Sequence, residues 1–252
     1  MRIKRRIFSG AVCEQEVFSV SDRVKNLHSA EPLPRFKNEE ERDRHKLGIS
    51  RRHHARLVNA NFSPQSLYST LTLDNENEVH TFDEAWKLGT LLMRRLKYAN
   101  PEAKLILYMG RGKSTQRIHF HMLSDGLTEA QIRSKWKYGQ VIRIEHLRPQ
   151  NRYGGVDHGQ DYTGLANYLF DHWTPEQRYR KRYRSTTNLT QPEREPPQVI
   201  KRNYTAKTPP KAPKGYKLVG CIDNGAGYLC FKYVLKVPIS KTPLKSGVKI
   251  QC

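Results

Sequence analysis

Between residues 67 and 173 the chain switches repeatedly between two hydrophobic periods. Leu67–Leu73 puts Leu67, Leu71 and Leu73 on one face and Tyr68, Thr70 and Thr72 on the other, the two-residue repeat of a strand. Asp74–His80 is polar and breaks it. Thr81 with Glu84 three residues later forms a capping box, and Ala85, Leu88, Leu92 and Leu96 then recur at helical spacing until Pro101 ends the run. Lys104–Met109 reads as a short apolar strand, Gly110-Arg111-Gly112 as a turn and Arg117–Leu123 as a second strand. Thr128, Glu129, Ala130, Ile132 and Trp136 predict a helix, and Val141–Leu147 an alternating strand. Asp161–Trp173 predicts a helix whose apolar stripe is Tyr162, Leu165, Ala166, Leu169 and Trp173, stopped by Pro175.

Outside this region the pattern is weaker. Residues 1–34 show no clear period, and 36–58 read as a highly charged helix followed by a loop over Asn59–Ser66. Residues 192–213 hold six prolines and read as an extended linker. Tyr216–Asp223 and Tyr228–Leu235 flank Asn224-Gly225-Ala226-Gly227, the signature of a hairpin. The order β-α-β-β-α-β followed by a helix predicts an α+β fold. Its core is an antiparallel, ferredoxin-like sheet with helices on one face, plus basic flanks and a C-terminal hairpin. The expected segments are a basic N-terminal arm (1–60), a central domain (61–175), a basic Pro-rich linker (176–213) and a C-terminal hairpin segment (214–252).

Charge sharpens this division. Net charge is +21, yet residues 61–175 carry only +2, against +6 in 1–60 and +13 in 176–252. A near-neutral core with basic flanks implies a polyanionic partner. Arg178, Arg180, Lys181, Arg182 and Arg184 interleave with Tyr179 and Tyr183, which suits single-stranded nucleic acid: cations for phosphates, rings for bases. With Arg51, Arg52, Arg111 and Lys113 they are the candidate DNA contacts. The longest apolar run is Leu105–Met109, too short to span a bilayer, and no apolar segment follows the basic start. Four scattered cysteines make no disulfide framework, so a reducing cytoplasm is expected.

The candidate chemistry lies in Arg117-Ile118-His119-Phe120-His121-Met122. On a strand, Ile118, Phe120 and Met122 enter the core while His119 and His121 project together from the other face. Two such imidazoles can ligate one divalent ion, and they can equally be an exposed pair or a phosphate contact. On the last predicted helix, Tyr162 belongs to the apolar stripe. Tyr168 lies about a third of a turn away from it and shares a face with Gly164, Asp171 and His172. A phenol there is either a half-buried packing residue or a nucleophile beside a metal.

Ser66–Asn75 (SLYSTLTLDN), Arg117–Leu123 (RIHFHML) and Gly164–His172 (GLANYLFDH) resemble the three motifs of HUH endonucleases, and Arg184–Pro192 resembles the segment after their tyrosine helix. The likeness covers roughly residues 60–195 and is greatest to rolling-circle replication initiators of phages, plasmids and integrative elements. It implies that His119 and His121 hold Mg2+ or Mn2+, and that Tyr168, with Tyr162 as backup, attacks a phosphate of single-stranded DNA at an origin. The products would be a 5′-phosphotyrosine and a free 3′-hydroxyl. A relaxase or single-strand transposase would use the same residues, and a non-enzymatic RNA-recognition-like module shares the element order. Many relatives carry a glutamate, a third metal ligand, in the slot that Gly110 fills here. Asp74, Glu145, Asp157 and His158 are the substitutes to consider. No GxxxxGK[ST] loop is present, so unwinding would fall to a host helicase in the bacterial cytoplasm, with no membrane partner.

Overall fold

A computed structural model describes residues 1–20, 37–112, 117–140, 142–172, 181–225 and 227–236. In chain order its elements are β1 (Arg2–Ser9), β2 (Val12–Ser19), α1 (Glu39–Asn61), β3 (Leu67–Thr72), α2 (Phe82–Ala99), β4 (Lys104–Arg111), β5 (Ile118–Asp125), α3 (Glu129–Lys135), β6 (Ile142–His146), β7 (Arg152–Tyr153), β8 (Val156–Asp157), α4 (Thr163–Asp171), β9 (Tyr183–Ser185), β10 (Glu193–Arg194), β11 (Gln198–Val199), β12 (Tyr216–Asp223) and β13 (Leu229–Leu235). The fold is α+β with antiparallel sheets. No helix among the described residues is long and apolar enough to cross a membrane.

The chain divides into two units. One comprises Met1–Arg56, Gln150–Asp161 and Gln191–Cys252, the other Leu57–Pro149 and Tyr162–Thr190. The second unit contains a five-stranded sheet ordered β6-β3-β5-β4-β9. Leu71, Leu105, Leu107, Met109, Ile118, Phe120 and Met122 line one face, where Phe82, Ala85, Trp86, Leu92 and Leu96 of α2 and Ile132 of α3 close the core. Thr81 caps α2 by accepting from the Glu84 amide at 3.3 Å. Gly89 lets α2 approach closely, since a Cβ there would stand 2.7 Å from Leu107. α2 and α3 share this face. α4 lies on the opposite one, beside His119 and His121, so helices cover both sides of the sheet. The sequence expectation placed them on one side because an apolar stripe shows that a helix is buried but not against which face.

β9 was not anticipated. It falls in the Arg/Tyr-rich cluster, yet Tyr183, Arg184 and Ser185 pair with Tyr108, Leu107 and Ile106. The first unit is a sheet ordered β10-β1-β2-β13-β12, with β11 also paired to β1. Residues 1–60, read from the sequence as an arm, therefore supply a strand hairpin to this sheet together with most of α1. The Pro-rich segment supplies β10 and β11 and then crosses the sheet: the Tyr233 hydroxyl donates to the Pro210 carbonyl (2.7 Å) and Gln15 to that of Lys211 (3.1 Å). On the face with Glu14 and Glu16, Arg56 of α1 forms a buried ion cluster at 2.5 and 2.6 Å. Burial alone would raise the Glu16 carboxyl, but hydrogen bonds from Arg5 and Arg56 hold it below its ordinary value.

Candidate metal centre and nucleophile

The strand register places the chemistry. Arg143 of β6 stands opposite Thr70 of β3, Thr70 opposite His121 of β5, His121 opposite Tyr108 of β4, and Tyr108 opposite Tyr183 of β9. In the neighbouring row Thr72, His119 and Gly110 align. Directly paired residues point to one face, so both histidines stand on the face away from the α2–α3 core.

Their Nε2 atoms are 3.2 Å apart, and the Nε2 of His172, at the C-terminal cap of α4, lies 2.8 Å from that of His119. The three residues offer ligand atoms within 4.8 Å of one another. Nitrogens bound at about 2.1 Å to one cation, about 90–110° apart, are separated by about 3.0–3.4 Å. The His119–His121 pair lies in that range and the His119–His172 pair just below it, so the three nitrogens could converge on one divalent ion. His121 is 4 % exposed; burial, and then His119 and His172, push its pKa down to about 3. Burial also lowers that of His119. Both are thus neutral near pH 7, the form that ligates.

Tyr68 and Thr70 hold His121 from behind. The Tyr68 hydroxyl is 2.8 Å and the Thr70 hydroxyl 3.2 Å from Nδ1, and the Tyr68 ring stacks on the imidazole at 5.6 Å. In the tautomer that ligates through Nε2, Nδ1–H donates to these oxygens, which fixes the ring plane. Sequence reasoning placed Tyr68 and Thr70 on the correct strand face without giving them a role.

Tyr168 meets this cluster. Its ring centroid is 6.2 Å from that of His121 and 5.6 Å from that of His172, and the residue is 55 % exposed. Tyr162, the backup nucleophile, is 2 % exposed, and its hydroxyl donates to the Arg148 carbonyl at 3.1 Å. The structure brings Tyr168 to the histidines and keeps Tyr162 as a packing residue.

The four proposed third ligands are not in the cluster, and His172 is. Asp74 accepts from Asn77 in its own turn (2.9 Å). Glu145 pairs with Arg143 at 3.2 Å on β6, two strands from β5 and so about 9–10 Å across the sheet. Asp157 pairs with Lys217 at 3.0 Å, and His158 lies 3.9 Å from Asp161, all within the first unit. The signal for His172 was its helix face, shared with Tyr168.

The expected DNA contacts divide. Lys113, Arg178 and Arg180 lie outside the described residues. Lys181 is exposed. Arg182 stacks on Phe170 of α4 at 4.8 Å and donates to its carbonyl. Arg184 pairs with Leu107 and lies over Trp86 of α2 at 4.8 Å, and Arg111 lies over Phe82 at 5.1 Å. These two belong to the α2–α3 face and are not part of the histidine face. Arg52 sits over Tyr228 in the first unit at 5.4 Å, and Arg51 is half-buried there. Arg143, not singled out from the sequence, is the exposed cation at the end of the histidine row.

No protein-family model, curated protein or solved structure matches this chain.

Proposed function

We propose that the chain is a metal-dependent endonuclease that nicks single-stranded DNA and retains the 5′-phosphate on Tyr168, acting as an initiator of rolling-circle replication. The observation that carries this reading is the exposed phenol of Tyr168 beside three converging imidazoles, with Tyr162 buried and hydrogen-bonded elsewhere. A divalent cation held by His119, His121 and His172 would supply Lewis acidity toward a phosphodiester oxygen. Tyr68 and Thr70 orient His121. Arg143 and Thr70, in the same row, offer a cation and a hydroxyl to the strand's phosphates. Tyr168 Oη forms a bond to phosphorus as the P–O3′ bond breaks. The phenol proton passes to solvent, and the departing 3′-oxygen takes one from water. The retained phosphotyrosine conserves the energy of the broken bond, so that a later 3′-hydroxyl can reseal the strand. Unwinding is assigned to a partner helicase.

A purely RNA-recognition role is less well supported, because Phe120 is fully buried against α2 and α3 and the opposite face presents histidines. The test is incubation of the chain with labelled single-stranded DNA and a divalent ion, followed by denaturing electrophoresis and peptide mapping. A DNA-linked peptide containing Tyr168 is expected; nicking without any linked peptide would overturn the transferase reading.

A further inference from the structure

Gly110 occupies an unusual place. It lies inside β4, directly opposite His119, where glycine weakens a strand. Its φ is not in the left-handed region, so the backbone does not require glycine. What requires it is His172: a Cβ at this position would stand 2.1 Å from His172 Cδ2, 2.5 Å from Nε2 and 3.0 Å from the His172 carbonyl oxygen. Any side chain on β4 here would occupy the volume of the imidazole. The strand therefore gives up a side chain next to His119, and the end of α4 delivers a nitrogen donor in its place.

The donor set that results has a chemical consequence. The described residues bring three imidazoles together and add no carboxylate to the cluster. Mg2+ is a hard ion that prefers oxygen ligands and gives up its water reluctantly. Imidazole nitrogen suits Zn2+, Co2+ and Ni2+, and affinity for such a site falls toward Mn2+ along the divalent series. Resting on the reading that His119, His121 and His172 hold one ion, we propose that the centre takes a borderline transition-metal dication of the Zn2+/Co2+ class in preference to Mg2+, and that Gly110 is the residue that sets this preference by admitting His172. The Mg2+ expected from the resemblance does not fit these donors.

The test is calorimetric titration of the metal-free full chain with Zn2+, Co2+, Mn2+ and Mg2+, with the visible spectrum of the Co2+ form as a second readout of nitrogen ligation. Zn2+ and Co2+ should bind one per chain, about 100-fold or more tighter than Mg2+. His121→Ala gives the background from other groups. His172→Ala should lower Zn2+ affinity about tenfold or more. Gly110→Ala, which alters no ligand, should do the same and lower the melting temperature. Gly110→Ala/His172→Ala should recover the melting temperature while binding no more weakly than His172→Ala alone, because the clash and the ligand are lost together. Mg2+ binding as tightly as Zn2+, or Gly110→Ala that melts and binds Zn2+ like the parent, would overturn the proposal. The two readings fail separately. Selective Co2+ binding with no DNA adduct under any ion removes the nuclease and leaves the metal centre. An adduct formed with Mg2+, on a chain that does not prefer Zn2+ or Co2+, removes the metal assignment and leaves the nuclease.

Discussion

Replacing Tyr168 with Phe deletes one oxygen from a half-exposed side chain, and the structure fixes what that should cost. With the residue 55 % exposed, the change in unfolding free energy should stay within about 0.5 kcal/mol. The covalent DNA adduct should nevertheless vanish. An assay that detects one adduct in about a thousand would then place any substitute nucleophile behind a barrier at least about 4 kcal/mol higher. Tyr162→Phe is the counterpart with the opposite signature. It removes a buried hydroxyl that donates to the Arg148 carbonyl at 3.1 Å. It should cost about 1–2 kcal/mol and leave the adduct intact. Urea melts give the two stabilities, and denaturing gels of labelled oligonucleotide give the two adduct yields. An adduct at parental yield in Tyr168→Phe would refute the assignment, and its loss in Tyr162→Phe alone would reverse it. Strand cleavage that persists in the double variant with no linked peptide would point to hydrolysis by metal-activated water.

Other perturbations test separate parts of the molecule. Arg143→Ala should weaken binding to single-stranded DNA and lower the slope of log K against log salt by about 1, whereas Arg184→Ala, turned toward Trp86, should lower stability and leave that slope unchanged. Arg56→Met removes the cation shared by Glu14 and Glu16, leaving Glu16 to Arg5, and should cost about 3 kcal/mol in a urea melt; a loss below about 1 kcal/mol would show that the cluster is not coupled to folding. Burial, and then the neighbouring His53, push the pKa of His54 down to about 3, so its neutral form is favoured in the folded chain. Its contribution is complete above its ordinary value near 6.5 and is lost as pH falls toward 3. Stability between pH 6 and 4 should therefore decline by about 1.4 kcal/mol per unit from this group, and His54→Asn should flatten the decline.

What could be read from the residues followed from periods that burial enforces. Leu67, Leu71 and Leu73 alternate because one face of β3 and the residue after it enter the core that α2 and α3 close, and the same alternation on β5 turns His119 and His121 outward together. Tyr168 stood out because it left the stripe. β2 was hidden because Glu14 and Glu16 stand where an apolar residue would mark the period; Arg56, distant in sequence, pairs with both, and Arg5 of β1 pairs with Glu16. β9 was hidden because Arg184 covers Trp86 with its guanidinium, so a strand residue facing a helix reads as surface charge. His172 could be assigned to a face but not to the metal, since its reach depends on the space left by Gly110 on another element. Cys221 and Cys230 are not the facing pair that a four-residue turn would give: Cys221 stands opposite Phe231 and Cys230 opposite Ile222, which puts their side chains on opposite faces.

The sheet that contains β1 and β2 sets an order of events during synthesis. Val17 must wait for Leu229 and Cys13 for Tyr233, whereas β3 through β9 find all their sheet partners between Leu67 and Ser185. The histidine-bearing sheet can thus close on the ribosome while β2 still has an open edge, a template for pairing with another nascent chain. Along that edge run Glu14, Gln15 and Glu16, and Arg56 is already translated to accompany them. Charges that are costly to bury in the finished protein would thereby keep its unfinished form from joining strands with a neighbour.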